Sequence, residues 1–202
     1  LPPIRFDPTR ARRLLDEAGY PDPDGEGPLP RLRLTYKTSQ NEVRRRVATV
    51  IQEQLRQVGI SVDIQSLEWG TFFSDIKKGN FQIYSLTWVG ITDPDIFHHA
   101  FHSRSASPDG ANRGGYSDAE FDRLTEAARR ESSREKRRET YRRVQRILVR
   151  DLPVFPLWAG RNLLVRDRRL TGFLLTPDES YAPVRAMRIV PDRLTPSTGG
   201  RR

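Results

Sequence analysis

The chain has no cysteine, one methionine and three histidines among its 202 residues. Without cysteine there is no disulfide, no thiolate-bound zinc, no iron–sulfur cluster and no thiol nucleophile. The compartment stays open, since a periplasmic protein also does without cysteine. Long apolar runs are missing too. Leu152 to Gly160 reaches about half of the ~20 residues that a membrane-spanning helix needs. No Gly-x-Ser-x-Gly elbow, no Gly-Lys-Ser/Thr phosphate loop and no Gly-x-Gly-x-x-Gly turn occurs, so no motif speaks for an enzyme or for a bound cofactor. Leu1-Pro2-Pro3-Ile4-Arg5 is not a charged start followed by an apolar stretch, the mark of a secretory signal. With no initiator Met and a Pro-rich opening, the chain reads as beginning inside a longer protein.

Charge is abundant. Lys and Arg number 35 against 26 Asp and Glu, a formal net charge of +9. That balance raises one functional class at once, a basic nucleic-acid-binding domain using Arg-rich helix faces. The pattern favours another reading. Arg44-Arg45-Arg46, Arg134-Glu135-Lys136-Arg137-Arg138-Glu139 and Arg142-Arg143 sit between apolar positions at helical spacing, several with Glu three or four residues away. Such runs are solvated outer faces of helices. A binder of duplex would lose affinity steeply with salt, which separates the two.

Local signals alternate between helix and strand. Asp7-Pro8 caps a first helix with Ala11, Leu14, Leu15 and Ala18 as its stripe and Gly19 at its end. Residues 21–28 are turn-rich. Leu32, Leu34 and Tyr36 alternate with polar residues as in a half-buried strand. Ser39 or Asn41 opens a second helix with Val43, Val47, Val50, Ile51, Leu55 and Val58, closed by Gly59. Ile60, Val62, Ile64 and Leu67 give a second strand, and Trp69 to about Lys78 a third helix. Residues 81–88 are apolar or aromatic on both faces, as in a strand covered on both sides. This order predicts an α/β layer with parallel strands. Further on, a short helix follows Pro94, and Ser117-Asp118-Ala119-Glu120 and Ser132-Ser133-Arg134-Glu135 open two longer ones. Asp151-Leu152-Pro153 ends the last, and short strands are expected at 154–157, 163–165 and 173–175.

Three stretches carry candidate chemistry. His98 and His102 share a helix face with Asp93 and Asp95 near in sequence, a spacing that binds zinc or nickel, although no His-Glu-x-x-His is present. Gly110-Ala111-Asn112-Arg113-Gly114-Gly115 runs into a capped helix and reads either as an anion-holding loop or, more simply, as a turn. Trp88-Val89-Gly90-Ile91-Thr92-Asp93 follows a strand, where ligands of α/β sheets sit. There Trp88 either walls a site or packs in the core, and Asp93 either faces a ligand or caps the next helix.

A set of short patterns, taken together, resembles one family. They run in order: Asp7-Pro8-x-x-Ala11-x-x-Leu14-Leu15-x-x-Ala18-Gly19-Tyr20, Ile51-Gln52-x-x-Leu55-x-x-Val58-Gly59-Ile60-x-Val62, Glu68-Trp69, and Trp88-x-Gly90 with Asp93-Pro94-Asp95 and Phe97. Asn112 with Gly115-Tyr116-Ser117, Phe121-Asp122-x-Leu124, Tyr141-x-x-x-Gln145-x-Ile147-Leu148 and Pro153-x-x-Pro156-Leu157 complete the series. The chain is similar, from about residue 5 to 185, to the extracellular solute-binding proteins of the peptide/nickel class (family 5), the receptors of dipeptide and oligopeptide ABC importers.

The resemblance implies an α/β fold, one lobe of a class II periplasmic-binding-protein-like clamp, with a central mixed sheet flanked by helices. It implies that residues 1–190 are the carboxyl-terminal lobe, that 182–190 return, exposed and without strand partners, toward a first lobe absent from this chain, and that 191–202 form a flexible tail. It implies a non-enzymatic receptor, periplasmic or extracellular and in some members lipid-anchored. A peptide or other small solute closes between the lobes, and an ABC permease is the membrane partner. Nucleic acid is not implied. The site residues it points to are Trp88, Gly90, Thr92 and Asp93, with Asn112, Arg113 and Trp69; no metal or cofactor is part of it. Peptide-binding members carry an Asp shortly after Trp-x-Gly that pairs with the ligand's amine. Here Ile91 or Thr92 stands in that place, which implies an amine anchor lost or displaced, and a ligand that lacks the amine, is held by Asp93 or is held mainly by the other lobe, rather than dipeptide specificity.

Overall fold

The computed structural model describes residues 5–25, 27–160, 163–176 and 180–191. Residues 192–202 of the expected tail lie outside the described residues. The chain divides into two compact units, Leu1–Thr87 with Asp95–Pro153, and Trp88–Pro94 with Val154–Arg202.

The first unit opens with an α/β layer. Helix α1 (Pro8–Glu17) begins where Asp7 accepts a bond from the Arg10 amide at 2.9 Å, and Pro8 gives up an amide that would have had no helical partner. Strand β1 (Leu32–Ser39), helix α2 (Glu42–Arg56), strand β2 (Ile60–Leu67), helix α3 (Trp69–Lys77) and strand β3 (Ile83–Tyr84) follow. The strands are all parallel in the order β2-β1-β3, with Leu32 opposite Ile60 and Tyr36 opposite Ile83. Alternation sends Leu32, Leu34 and Tyr36 to one face. There they pack with Ala48, Ile51 and Leu55 of α2 and Ala11 and Leu15 of α1. It sends Lys37 to the other face, where its Nζ lies 2.7 Å from Asp75 of α3. The two crossover helices therefore cover opposite faces.

Two expectations change here. Val43 and Val50 stand exposed, while Ala48 is fully buried. The smallest side chain on α2 meets the sheet at closest approach, and the two valines, seven residues apart, form an edge of the stripe that turns to solvent. The strand expected over 81–88 shrinks to Ile83–Tyr84. Among the described residues β3 has only β1 as a partner, so no second ladder holds 85–88 in register.

The rest of the first unit is helical: α4 (Ile96–Phe101), a 3₁₀ turn at Ser103–Ser105, α5 (Ala119–Arg130) and α6 (Arg134–Asp151). Phe121, Leu124, Ala128, Tyr141, Val144 and Ile147 form its core, joined by Phe97, Phe101, Tyr116 and Leu148. Phe121, Leu124, Val144 and Ile147 are each worth roughly 1.5–3 kcal/mol of apolar burial. Asp118, not Ser117, caps α5, accepting from the Phe121 amide at 2.7 Å. Ser133 caps α6. The N-cap of α4 is Asp95, which sets aside Asp93 as that cap.

The ends of α5 and α6 are joined by side chains. Tyr116 Oη donates to Asp151 at 2.6 Å, and Arg150 donates to both Asp151 and Asp118. Arg150, then Tyr116, hold the Asp151 carboxyl down to about 2. A lowered carboxyl pKa adds stability above its ordinary value, and that stability goes as pH falls through the folded value. The urea midpoint should therefore drop as pH falls from about 4 toward about 2. Asp151→Asn should start lower at neutral pH and show a shallower drop. Parallel acid profiles would remove Asp151 as the cause.

The second unit contains one antiparallel ladder, β4 (Leu170–Thr171) with β5 (Arg188–Ile189), and a 3₁₀ turn at Ala182–Ala186. Gly172 is required beside it: its φ is +79°, and a Cβ there would lie 2.0 Å from the Ala186 carbonyl oxygen. The strands expected at 154–157, 163–165 and 173–175 are not formed. None of these runs has a strand partner among the described residues, and Leu163 and Val165 stand 87% and 97% exposed. The return segment does find a partner at Arg188–Ile189, although Ile189 remains exposed.

Candidate functional site

A parallel sheet ordered β2-β1-β3 with its crossovers on opposite faces has its topological switch point beside β1. Ligands of open α/β sheets bind in the crevice beyond the carboxyl ends of the strands at such a point. Here the chain leaves β1 at Ser39, caps α2 with Asn41 and turns into Arg44; it leaves β2 at Glu68, which caps α3 by accepting from the Gly70 and Thr71 amides.

The first residue of α3 is Trp69, 47% exposed. Its ring stacks on Phe73, one helical turn on, with centroids 5.6 Å apart and planes 12° apart. Phe72 tilts against it from below, fully buried. The Arg44 guanidinium lies over the Trp69 ring at 5.1 Å and donates to Ser39 Oγ at 3.2 Å. The Arg113 guanidinium lies over the Phe73 ring at 5.3 Å. Three separate segments thus supply one contact series, Arg44–Trp69–Phe73–Arg113. Such a ledge offers flat apolar surface for stacking together with charged donors. Trp69 and Arg113, both expected in the site, are brought together by Phe73. Arg44 and Phe73 are additions to the expected set. Arg44 is hidden in a run that reads as a solvated face. Its signal is its place five residues past the end of β1; that of Phe73 is its spacing of four from Trp69.

Asn112 is not a rim contact. It is 2% exposed. Its Nδ2 lies 2.7, 3.2 and 3.3 Å from the carbonyls of Tyr116, His102 and Phe101, and its Oδ1 accepts from the Tyr116 amide at 3.0 Å. A side chain so engaged closes its loop and holds the next residue, Arg113, in place. The same bonds explain the Gly-rich segment as a built turn.

Trp88, Gly90, Thr92 and Asp93 belong to the second unit. All four are exposed, Trp88 at 41%, so Trp88 is not a core residue. Gly90 has φ +68° with no described atom within 4 Å of a Cβ built there. Backbone conformation, rather than crowding, calls for glycine at that turn.

His98 and His102 pack against each other, their rings 4.2 Å apart. His102 is buried, accepts the Arg104 amide on Nδ1 at 3.0 Å and places Nε2 3.4 Å from Glu126. Burial, then the neighbouring His102 and Arg129, pushes the His98 imidazole below its ordinary value. Among the described residues no group of three or more His, Cys, Asp or Glu is arranged to hold a metal. No helix of these residues is long and apolar enough to cross a membrane. The Arg-rich faces carry ion pairs, Arg142 with Glu139 at 3.2 Å, Arg143 with Glu120 at 3.0 Å and Arg56 with Glu53 at 2.8 Å.

Known proteins share this sequence and fold. The oligopeptide-binding protein AppA of Bacillus subtilis is 31% identical over 88% of this chain and 34% of its own length. A dipeptide-binding protein of Pseudomonas aeruginosa is 30% identical over 85% of this chain and 32% of its own. The chain thus spans about a third of the length of these curated relatives. Among solved structures, AppA of Bacillus subtilis in complex with a nonapeptide superposes with TM-score 0.76 at 26% identity, over 95% of this chain and 39% of that one. The periplasmic binding protein DppA of Helicobacter pylori, in complex with the peptide STSA, gives 0.65 at 30% identity over 76% and 29%. Residues 1–108 match the family "Bacterial extracellular solute-binding proteins, family 5 Middle". With more than half of its residues matched and the doubly covered parallel layer in place, this chain belongs to the family 5 extracellular solute-binding proteins.

Proposed function

We propose that this chain is the ligand-gripping lobe of the substrate-binding component of an ABC importer, and that its solute is a peptide. The observation that carries the reading is the ledge Arg44–Trp69–Phe73–Arg113 beyond the carboxyl ends of β1 and β2. It puts stacking surface and charged donors where α/β sheets take ligands. The named relatives, which bind oligopeptides and dipeptides, support a peptide as the occupant. The role is capture alone, with no bond made or broken.

Residues 1–190 form the carboxyl-terminal lobe in this reading. A first lobe, supplied by polypeptide beyond this chain, closes over the ligand. The ligand contacts both lobes in the closed state only, so its binding energy drives closure. The closed receptor then docks on a membrane permease from the periplasmic or extracellular side. Trp69 and Arg113 of the first unit are ligand contacts in this reading. In the second unit Trp88, Thr92 and Asp93 are put forward on the family pattern alone, with Gly90 shaping the turn that carries them. Asn112 acts through Arg113. Ile91, 42% exposed, offers no partner to a peptide amine, and the next acid in the chain is Asp93.

Native mass spectrometry of the full-length protein with an equimolar pool of di- to nonapeptides tests this directly. One peptide should be retained per protein, and the retained masses should define a length class. A protein that stays empty against the whole pool is not a peptide receptor.

A further inference from the structure

We infer that the outer face of α6 is a docking surface for a bilayer of anionic lipid, held there by charge alone. The inference rests on the membrane-side role proposed above but on none of the ledge residues. Helix α6 carries eight Lys and Arg against three Asp and Glu, so it supplies more than half of the chain's net charge of +9. At about 100° per residue, Arg138, Arg142 and Arg146 fall within about 80° of arc. Tyr141, Val144 and Ile147, the buried residues of the helix, lie on the opposite side. The three arginines are exposed, and each stands about 6 Å further along the axis than the last.

Part of this charge is answered within the fold. Glu139 pairs with Arg142, Glu120 of α5 with Arg143, and Asp118 and Asp151 with Arg150. Glu135 accepts from the Ser133 hydroxyl at 3.4 Å. Among the described residues Arg134, Lys136, Arg138 and Arg146 have no carboxylate in ion-pair reach. Three of these four stand in the first five residues of the helix, at its positive end, where a cation opposes the helix dipole. The fold gains nothing from them there, and an anionic surface outside it does. The apolar stripe of α6 is already packed in the core, so the helix has no hydrophobic face to insert and its contact with lipid is electrostatic. A bilayer suits this face better than a duplex. Its headgroups move, and gather beneath Arg138 and Arg146 while avoiding Glu135 and Glu139 on the same side; the phosphates of a duplex are fixed.

The test sediments the full-length protein with vesicles of phosphatidylglycerol and phosphatidylcholine in equal parts, and with vesicles of phosphatidylcholine alone. At about 0.1 M salt the protein should bind the anionic vesicles about tenfold more tightly than the neutral ones, or better. At about 1 M salt, where the Debye length shrinks from about 10 Å to about 3 Å, that preference should vanish. A cation near an anionic surface is worth about a fivefold gain, so Arg138→Gln with Arg146→Gln should weaken binding to the anionic vesicles about ten- to thirtyfold. Arg10→Gln with Arg45→Gln removes the same charge from α1 and α2 and should weaken it by no more than about threefold, since those charges act only at a distance. All four side chains are exposed, so both double variants should keep the wild-type urea midpoint and the wild-type peptide retention. Equal binding to the two kinds of vesicle overturns the inference and leaves the peptide reading standing. So does an equal loss in the two double variants. Capture by a random duplex in competition with the anionic vesicles overturns it as well, and makes the face a nucleic-acid surface.

Discussion

Asn112→Ala should cost about 3 kcal/mol of stability, read as a lower urea midpoint with an unchanged slope. The side chain is buried and makes contacts to four main-chain groups, the carbonyls of Phe101, His102 and Tyr116 and the amide of Tyr116. Two amide hydrogens serve three carbonyls, so one bond is shared. Truncation leaves these groups without their partner in a place water does not reach easily, and an unpaired buried polar group costs about 1–3 kcal/mol. Some relaxation of the loop lowers the sum. The loop is short of room for it, since Gly110 sits where a Cβ would lie 2.0 Å from the Ser105 carbonyl oxygen. Asn112→Asp separates hydrogen bonding from shape. It keeps the acceptor for the Tyr116 amide but sets a carboxylate against three carbonyls, so at neutral pH it should be worse than alanine. An aspartate variant as stable as the wild type would mean that these bonds do not hold the loop.

The second large effect is on affinity. On the proposed function, Trp88→Ala in the full-length protein should weaken ligand binding by about 1–3 kcal/mol, the scale of an aromatic side chain that becomes buried against its partner. The urea midpoint should move little, because Trp88 is already 41% exposed in this structure. On the proposed function the two variants are opposites: Asn112 is spent on the fold and Trp88 is held for the ligand. Calorimetry on any peptide that the full-length protein retains decides the matter, and an unchanged affinity takes Trp88 out of the site.

Much of the fold is legible in the sequence because its signals are local. Asp7-Pro8 before α1, Asn41 before α2 and Ser133 before α6 sit where a helix start needs an acceptor, and the structure uses all three. The alternation through Leu32, Leu34 and Tyr36 marks the strand and its apolar face, but not that its end is buried on both faces, with Lys37 covered by α3. What stays illegible depends on partners far away in sequence. Val154-Phe155-Pro156-Leu157 and Leu163-Leu164-Val165 have strand composition, yet composition does not supply a neighbouring strand, and among the described residues none pairs with them. The ladder that does form joins Leu170 to Ile189, two residues with no local sign of each other.

The site divides in the same way. Trp69, Trp88 and Arg113 are visible as residue types at the ends of elements. The role of Asn112 is not, because an asparagine in a Gly-rich turn looks the same whether its amide points outward or closes the loop. Arg44 is concealed by its neighbours Arg45 and Arg46. Only the arrival of the Trp69 ring beneath it sets it apart, and that contact joins helices separated by a whole strand.

A crystal structure of the full-length protein with its retained peptide tests the central claim most directly. The account predicts ligand atoms within about 4 Å of the Trp69 ring and of the Arg44 guanidinium above it. A peptide seated elsewhere, with Trp69 and Arg44 still bathed in solvent, would contradict it.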